Sequence, residues 1–172
     1  LIDIFKTTAD YALKLINADC AHVFLYDGES LHFGIGLWDN TYQDHPYMPI
    51  RPAGITYSVA RSGEIIVVNS MIQDDVYDNK RVDGAIACIP LKVKGEVRGV
   101  MNISYFTPYQ FIDDELRAMG LLADQSAIAI QNSEHLRLLE AEIHERKRAE
   151  IAEREQRIFA ETLRDTAITL NQ

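Results

Sequence analysis

Apolar residues follow two different periods along this chain. Ile4, Phe5, Ala9, Ala12, Leu15 and Ile16 recur at helical spacing, which predicts a helix over residues 2–17. The period then falls to two. Val23 and Leu25 stand against His22, Phe24 and Tyr26 in a strand over 21–26, and Asp27-Gly28 supplies a turn. Leu31, Phe33, Ile35 and Leu37 alternate with Ser30, His32, Gly34, Gly36 and Trp38, so the next strand pairs with the first. Residues 39–53, rich in Asp, Asn, His and Pro, read as a loop. Residues 54–61 read as a short helix that Ser62-Gly63 ends. Ile65 to Val68 is a short buried strand, and 70–83 is a second polar, acidic loop.

Two further strands, 84–93 and 96–106, flank the hairpin turn Lys94-Gly95. The second carries Val97, Gly99, Met101, Ile103 and Tyr105 on one face. Thr107-Pro108 breaks it. From about Asp113 to about Leu163 there is no proline and the only glycine is Gly120, which predicts one helix of ~50 residues, ~75 Å long at 1.5 Å per residue. Acids at 113–115 suit the positive end of its dipole. Hairpins at both ends of the strand series imply an antiparallel sheet with the terminal helices over one face.

The long helix needs a partner, because isolated helices in water are marginal. Leu136, Leu139, Ile143, Ile151 and Ile158 make an apolar seam with steps of three, four, eight and seven residues. The eight-residue step departs from a heptad and implies a local change of supercoiling. Glu142–Arg146, Glu150–Arg154 and Glu153–Arg157 are spaced to pair along an exposed face. A coiled coil with a second copy is the expected state, and a solvated single helix is the plain alternative.

Composition narrows the partners. The chain has 172 residues, 47% hydrophobic and 25% charged, with a net charge of −9. Residues 134–172 hold nine acids and seven bases, so most of the excess lies in the first part. No basic face suits a phosphate backbone, and an acidic domain avoids anionic membranes. Cys20 and Cys88 form no metal-binding cluster and read as buried thiols of a reducing cytoplasm. No nucleophile elbow, zinc-protease motif or phosphate-binding glycine loop is present.

Three stretches resemble the GAF domain, a small-molecule-sensing module of signalling proteins. They are CIPLKVKGEVRGVMNISYF (88–106), FIDDELRAMGLLADQSAIAIQNSEHL (111–136) and RPAGITYSVARSGEIIVVN (51–69). With the first helix and hairpin the resemblance covers residues 1–136. It implies an α+β fold of five to six antiparallel strands with helices packed on one face, GAF/PAS-like. A coiled-coil signalling helix at 137–172 would then lead to a further domain. EAEIHERKRAEIAEREQRI (140–158) resembles the linkers that join sensor domains to kinase or cyclase outputs, and both ends of the chain look like joints within a longer protein.

The resemblance places a small molecule between one sheet face and the cover formed by 39–62 and 70–83. Candidate ligand-binding residues there are Trp38, Tyr42, Tyr57, Asn69, Asp75, Tyr77 and Arg81, within a wider set that includes His45, Tyr47 and Asp74. Each has a structural reading too, since tyrosines cap cores and acids solvate loops. Where cyclic-nucleotide-binding members carry Asn-Lys, this chain has Ser104-Tyr105, and no cysteine is placed to hold a pigment. No cofactor, metal or catalytic residue is assigned. The expected function is regulatory: a cytoplasmic sensor that passes ligand state through a homodimeric helix to an output domain, as in histidine kinases of two-component systems. The rivals are a ligand-free dimerisation and spacer module, and a free methionine sulfoxide reductase, which needs exposed, reactive thiols.

Overall fold

The computed structural model describes residues 1–74 and 83–170, without the side chains of 158–170. Contacts divide the chain into two units, Leu1–Gln131 and Asn132–Gln172. The elements are α1 (Ile2–Ile16), β1 (Cys20–Tyr26), β2 (Leu31–Trp38), β3 (Thr41–Gln43), α2 (Ile55–Ser62), β4 (Ile66–Val68), β5 (Ala85–Val93), β6 (Glu96–Tyr105) and α3 (Asp113–Leu170). Six strands form one antiparallel sheet in the order β3-β2-β1-β6-β5-β4. Both edge strands are only three residues long, which blunts the sheet against pairing with other chains. β3 lies inside the segment expected to be a loop.

Local chemistry sets the joints. Asp27 Oδ1 accepts the backbone N–H groups of Glu29 and Ser30 at 2.9 and 2.7 Å, closing the β1–β2 turn. Lys94 and Gly95 both take positive φ, 51° and 88°, the two-residue hairpin geometry that matches strand twist. Gly63 ends α2 in the left-handed region at φ 68°. At the start of α3, Glu115 reaches back to accept the N–H of Ile112 at 3.1 Å, one half of a capping box.

The unbroken alternation of β2 hides a change of face. Val23 pairs with Ile35, but Phe24 pairs with Phe33, leaving Gly34 as an extra residue in β2. Ile35 and Leu37 therefore join the cluster beneath α1, while Leu31 and Phe33 join the cluster on the other side. At Gly34 a Cβ would lie 2.9 Å from the Val23 carbonyl and 3.0 Å from the Phe5 ring, so no side chain fits. In β6, a Cβ on Gly99 would lie 2.2 Å from the Phe24 carbonyl oxygen, closer than any atom tolerates.

The sheet thus buries two different faces. On one, Phe5, Ala9 and Ala12 of α1 and Met119, Ala123, Ala127 and Ile130 of α3 pack on Val23, Ile89, Leu91, Met101 and Ile103. The alanines let the helices sit close. Thr8 Oγ1 of α1 donates to Ser126 Oγ of α3 at 2.9 Å. On the opposite face, Ile55, Val59 and Ala60 of α2 pack on Phe24, Ile86, Cys88 and Val100. In the second unit, residues 134–157 are exposed, and Glu142 pairs with Arg146 at 2.7 Å. Among the described residues, no helix is long and apolar enough to cross a membrane.

Candidate functional site

Three central strands send a row of small polar side chains to the α2 face. Cys20 lies opposite Ser104, and His22 opposite Asn102, across the β1–β6 ladder. On the other side of β6, Ile86 lies opposite Ser104, and Cys88 opposite Asn102. Period-two alternation puts all of these on one face, so the polar row is the floor of whatever lies above it.

Above it is a cavity of about 450 Å³. Cys20, His22, Asn102 and Ser104 contribute the floor. Phe24, Ile55, Met71 and Ile86 form apolar walls, and residues 46–51 with Gly54 and Thr56 form the cover. The volume falls in the range of small-molecule sites.

Asn102 is 6% exposed, and its two amide ends are treated differently. Nδ2 donates to Thr56 Oγ1 at 2.9 Å, which ties the first turn of α2 to the sheet. Oδ1 is buried and has no partner among the described residues. A buried carbonyl oxygen without a donor is costly, typically ~1–3 kcal/mol.

His22 is a hinge-pin for the cover. Its Nε2 accepts the backbone N–H of Tyr47 at 3.0 Å, so the ring proton sits on Nδ1, which faces Cys20 Sγ at 3.6 Å. Burial lowers its pKa from 6.5 to about 4, keeping the imidazole neutral and able to accept. The Tyr47 ring stacks on Phe106 at 5.5 Å and meets Trp38 edge-on at 5.5 Å. Burial pushes the Cys20 thiol up to about 12, helped by Asp19 and Asp39, and burial pushes Cys88 up to about 12 as well. Both are protonated, weakly reactive thiols.

The residues expected to bind ligand have other duties where they are described. Trp38 stands beside the floor, opposite Cys20 on β1, with its ring 5.3 Å from that of His22. Tyr42 faces α1, donating to Asp10 at 2.5 Å under the ammonium of Lys6. Tyr57 accepts the backbone N–H of Leu31 at 3.1 Å and lies 5.0 Å from the Arg61 guanidinium. Asn69 accepts the N–H of Tyr109 on its carbonyl (3.0 Å) and that of Phe111 on its side chain (3.3 Å). None of these four lines the cavity, whereas Tyr47 of the wider set does. Asp75, Tyr77 and Arg81 lie outside the described residues. The floor itself, Asn102 above all, was missed. Its signal was available as single polar residues at alternate positions of otherwise apolar strands.

Comparison with known proteins agrees with this architecture. The description of the GAF domain family matches residues 1–131. The chain is similar to the GAF domain of a two-component sensor histidine kinase from Bacillus halodurans, with 20% identity and a TM-score of 0.64 over 79% of this chain and 97% of that one. It is similar to the GAF-B domain of DevS from Mycobacterium smegmatis, with 21% identity and a TM-score of 0.60 over 80% and 97%. It is also similar to the type II free methionine-R-sulfoxide reductase from Thermoplasma acidophilum, with 12% identity and a TM-score of 0.61 over 76% and 94%. At such identities the likeness is one of fold. Among curated proteins no match was found.

Proposed function

The chain belongs to the GAF domain family, and from that premise we propose that it is a regulatory domain that senses a small molecule and passes its state to the terminal helices. The observation that carries the reading is the 450 Å³ cavity over a polar floor with an unpartnered Asn102 oxygen. A spacer module would have no need of an unfilled cavity above buried polar groups.

The short run 104–106 supports transmission. Ser104, Tyr105 and Phe106 all border the cavity, and Tyr105 also packs in the cluster on the helix face. Its hydroxyl donates to the Ile16 carbonyl at the end of α1 (2.5 Å), and its ring stacks on Tyr109 at 3.9 Å. Tyr109 in turn donates to Glu115 in the first turn of α3 (2.5 Å), while the N–H of Phe106 donates to Asp19 beyond α1 (2.8 Å). A shift of β6 on ligand binding therefore moves both helices.

Onward transmission uses a homodimer through residues 137–172, a coiled coil that leads to a histidine-kinase or cyclase output. Leu136, Leu139, Ile143 and Ile151 are 60%, 41%, 50% and 58% exposed, a row that a second helix would cover. The chain is non-catalytic on this reading, a view supported by two buried, protonated thiols. The same thiols suit a cytoplasmic setting.

Mass spectrometry of small molecules released by denaturing the purified chain tests the sensor reading. A stoichiometric metabolite is the expected result. An empty cavity, together with a chain that dimerises normally, would favour the rival dimerisation and spacer module. Disulfide crosslinking of Ile143→Cys tests the helix. Efficient crosslinking marks a parallel dimer, and a monomer would remove the proposed route.

A further inference from the structure

The identity of the ligand class rests on the sensor reading and follows from which groups line the cavity. Every polar side chain on the floor is uncharged, namely the Asn102 amide, the Ser104 hydroxyl, the Cys20 thiol and the His22 imidazole, and so is the Thr56 hydroxyl above it. His22 Nε2 is already engaged by Tyr47. The two charged residues that line the cavity among the described residues are Arg51 and Asp83. Arg51 is exposed. Asp83 Oδ1 already accepts from Ser70 Oγ, the N–H of Ile72 and the N–H of Gly84. Among the described residues, an ion seated on the floor would lose its hydration without an opposite charge on the floor itself.

The walls point the same way. Phe24, Ile55, Met71 and Ile86 offer apolar contact, and Tyr47 and Phe106 offer ring faces. The floor supplies direction. Asn102 Oδ1 needs a donor, and Ser104, two residues further along β6 on the same face, carries a hydroxyl that can donate. A group that donates and accepts side by side matches this pair.

We propose that the cavity takes an uncharged ring compound with an amide-like edge, its N–H given to Asn102 Oδ1 and its carbonyl oxygen accepting from Ser104. Oδ1 is closed off from solvent by its neighbours. The ligand's donor therefore reaches it as Thr56 or the amide turns aside. Thr56 stands in the first turn of α2, so occupancy also disturbs the tie between α2 and the sheet.

The test uses the full 172-residue chain and a set of small isosteres: benzamide, benzoate, benzamidinium and toluene. They share one ring and differ in charge and hydrogen bonding. Binding is followed by NMR, with the side-chain amide of Asn102 and the methyl of Thr56 as reporters. Benzamide is expected to bind at least about tenfold more tightly than benzoate, the size of one well-made hydrogen bond to an uncharged partner against an uncompensated charge. Both reporters should shift as benzamide saturates. Asn102→Leu, which removes the acceptor at similar volume, should abolish the preference for benzamide over toluene. Asn102→Asp should turn the preference toward benzamidinium, which keeps a result in hand if the leucine variant fails to fold. Benzoate binding as well as benzamide would overturn the proposal, since recognition would then be ionic. Toluene binding without benzamide would overturn the ligand class and leave the sensor reading standing. No binding by any probe, with nothing released from the denatured protein, would overturn both.

Discussion

The two faces of the sheet are built from the same strands and do opposite things. Beneath α1 and α3, the buried set is apolar and closely packed, and Ala9, Ala12, Ala87, Ala123 and Ala127 are fully buried. Under α2 and its neighbouring loops, the strands present Cys20, His22, Asn102 and Ser104 to a cavity. One face is filled by its own helices, which holds the sheet to the ends of the chain. The other leaves room and, in Asn102 Oδ1, a buried acceptor without a partner among the described residues. A sheet alternates its side chains, so a tight joint and an adaptable site can be only one residue apart.

Adjacent residues of β5 offer the harshest test of that contrast. Ala87 points to the closed face and Ile86 to the cavity. Ala87→Phe has nowhere to place a ring and should cost at least about 3 kcal/mol in urea unfolding, an extreme case of overpacking. Ile86→Phe projects into open volume and should stay within about 1 kcal/mol of the parent. Equal losses in the two variants would mean that the cavity is not present in solution.

Acid should separate the faces next. His22, lowered from 6.5 to about 4 by burial, binds its proton more weakly folded than unfolded. Its contribution is complete above pH 6.5, declines as the pH falls toward 4 and is gone below that. At about 1.4 kcal/mol per pH unit, the window holds roughly 3 kcal/mol. Protonation also removes the acceptor for the Tyr47 N–H, so the cover over the cavity should loosen first. His22→Gln should flatten the stability profile between pH 6.5 and 4. Among the described residues, the closed face buries no comparable group, and its buried polar side chains, Thr8 and Ser126, do not titrate. An unchanged slope in His22→Gln would assign the acid sensitivity elsewhere.

Sequence periodicity made the helix–strand order and both hairpins legible, because burial on one side of a helix or strand leaves a regular mark. It did not reveal β3, since Thr41, Tyr42 and Gln43 form a short edge strand with no apolar alternation. Nor did it reveal the bulge at Gly34. Leu31, Phe33, Ile35 and Leu37 keep perfect alternation while the strand changes face, so the pattern alone assigns all four to one side. Gly34→Ala breaks that switch by pressing a methyl against Phe5 and the Val23 carbonyl, and should cost about 2 kcal/mol in thermal unfolding. A neutral result would mean that α1 gives way more easily than its burial implies. The candidate site was less legible than the fold. Aromatic and polar residues of the cover loops drew attention, yet Trp38, Tyr42, Tyr57 and Asn69 brace the scaffold. Asn102 sits in an apolar strand, and only pairing across three strands shows what it faces.

The smallest effect is expected where the closed face does contain polar groups. Thr8 Oγ1 approaches both the Ile4 carbonyl at 2.8 Å and Ser126 Oγ at 2.9 Å, and Ser126 Oγ donates to the Leu122 carbonyl at 2.7 Å. Each hydroxyl thus keeps a carbonyl on its own helix if the other is removed. Thr8→Val and Ser126→Ala should each cost about 1 kcal/mol or less, because neither strands a buried group. A double-mutant cycle should give a coupling near 0.5 kcal/mol, the worth of one satisfied neutral hydrogen bond between α1 and α3. Asn102→Leu makes the instructive contrast across the sheet. It removes an oxygen that has no partner among the described residues together with the Nδ2 bond to Thr56, so the two changes offset and the net cost should stay at about 1 kcal/mol, that of the one hydrogen bond. If Asn102→Leu costs well beyond the one hydrogen bond to Thr56 in the same unfolding assay, the Asn102 oxygen has a partner in solution and the floor is already satisfied without a ligand.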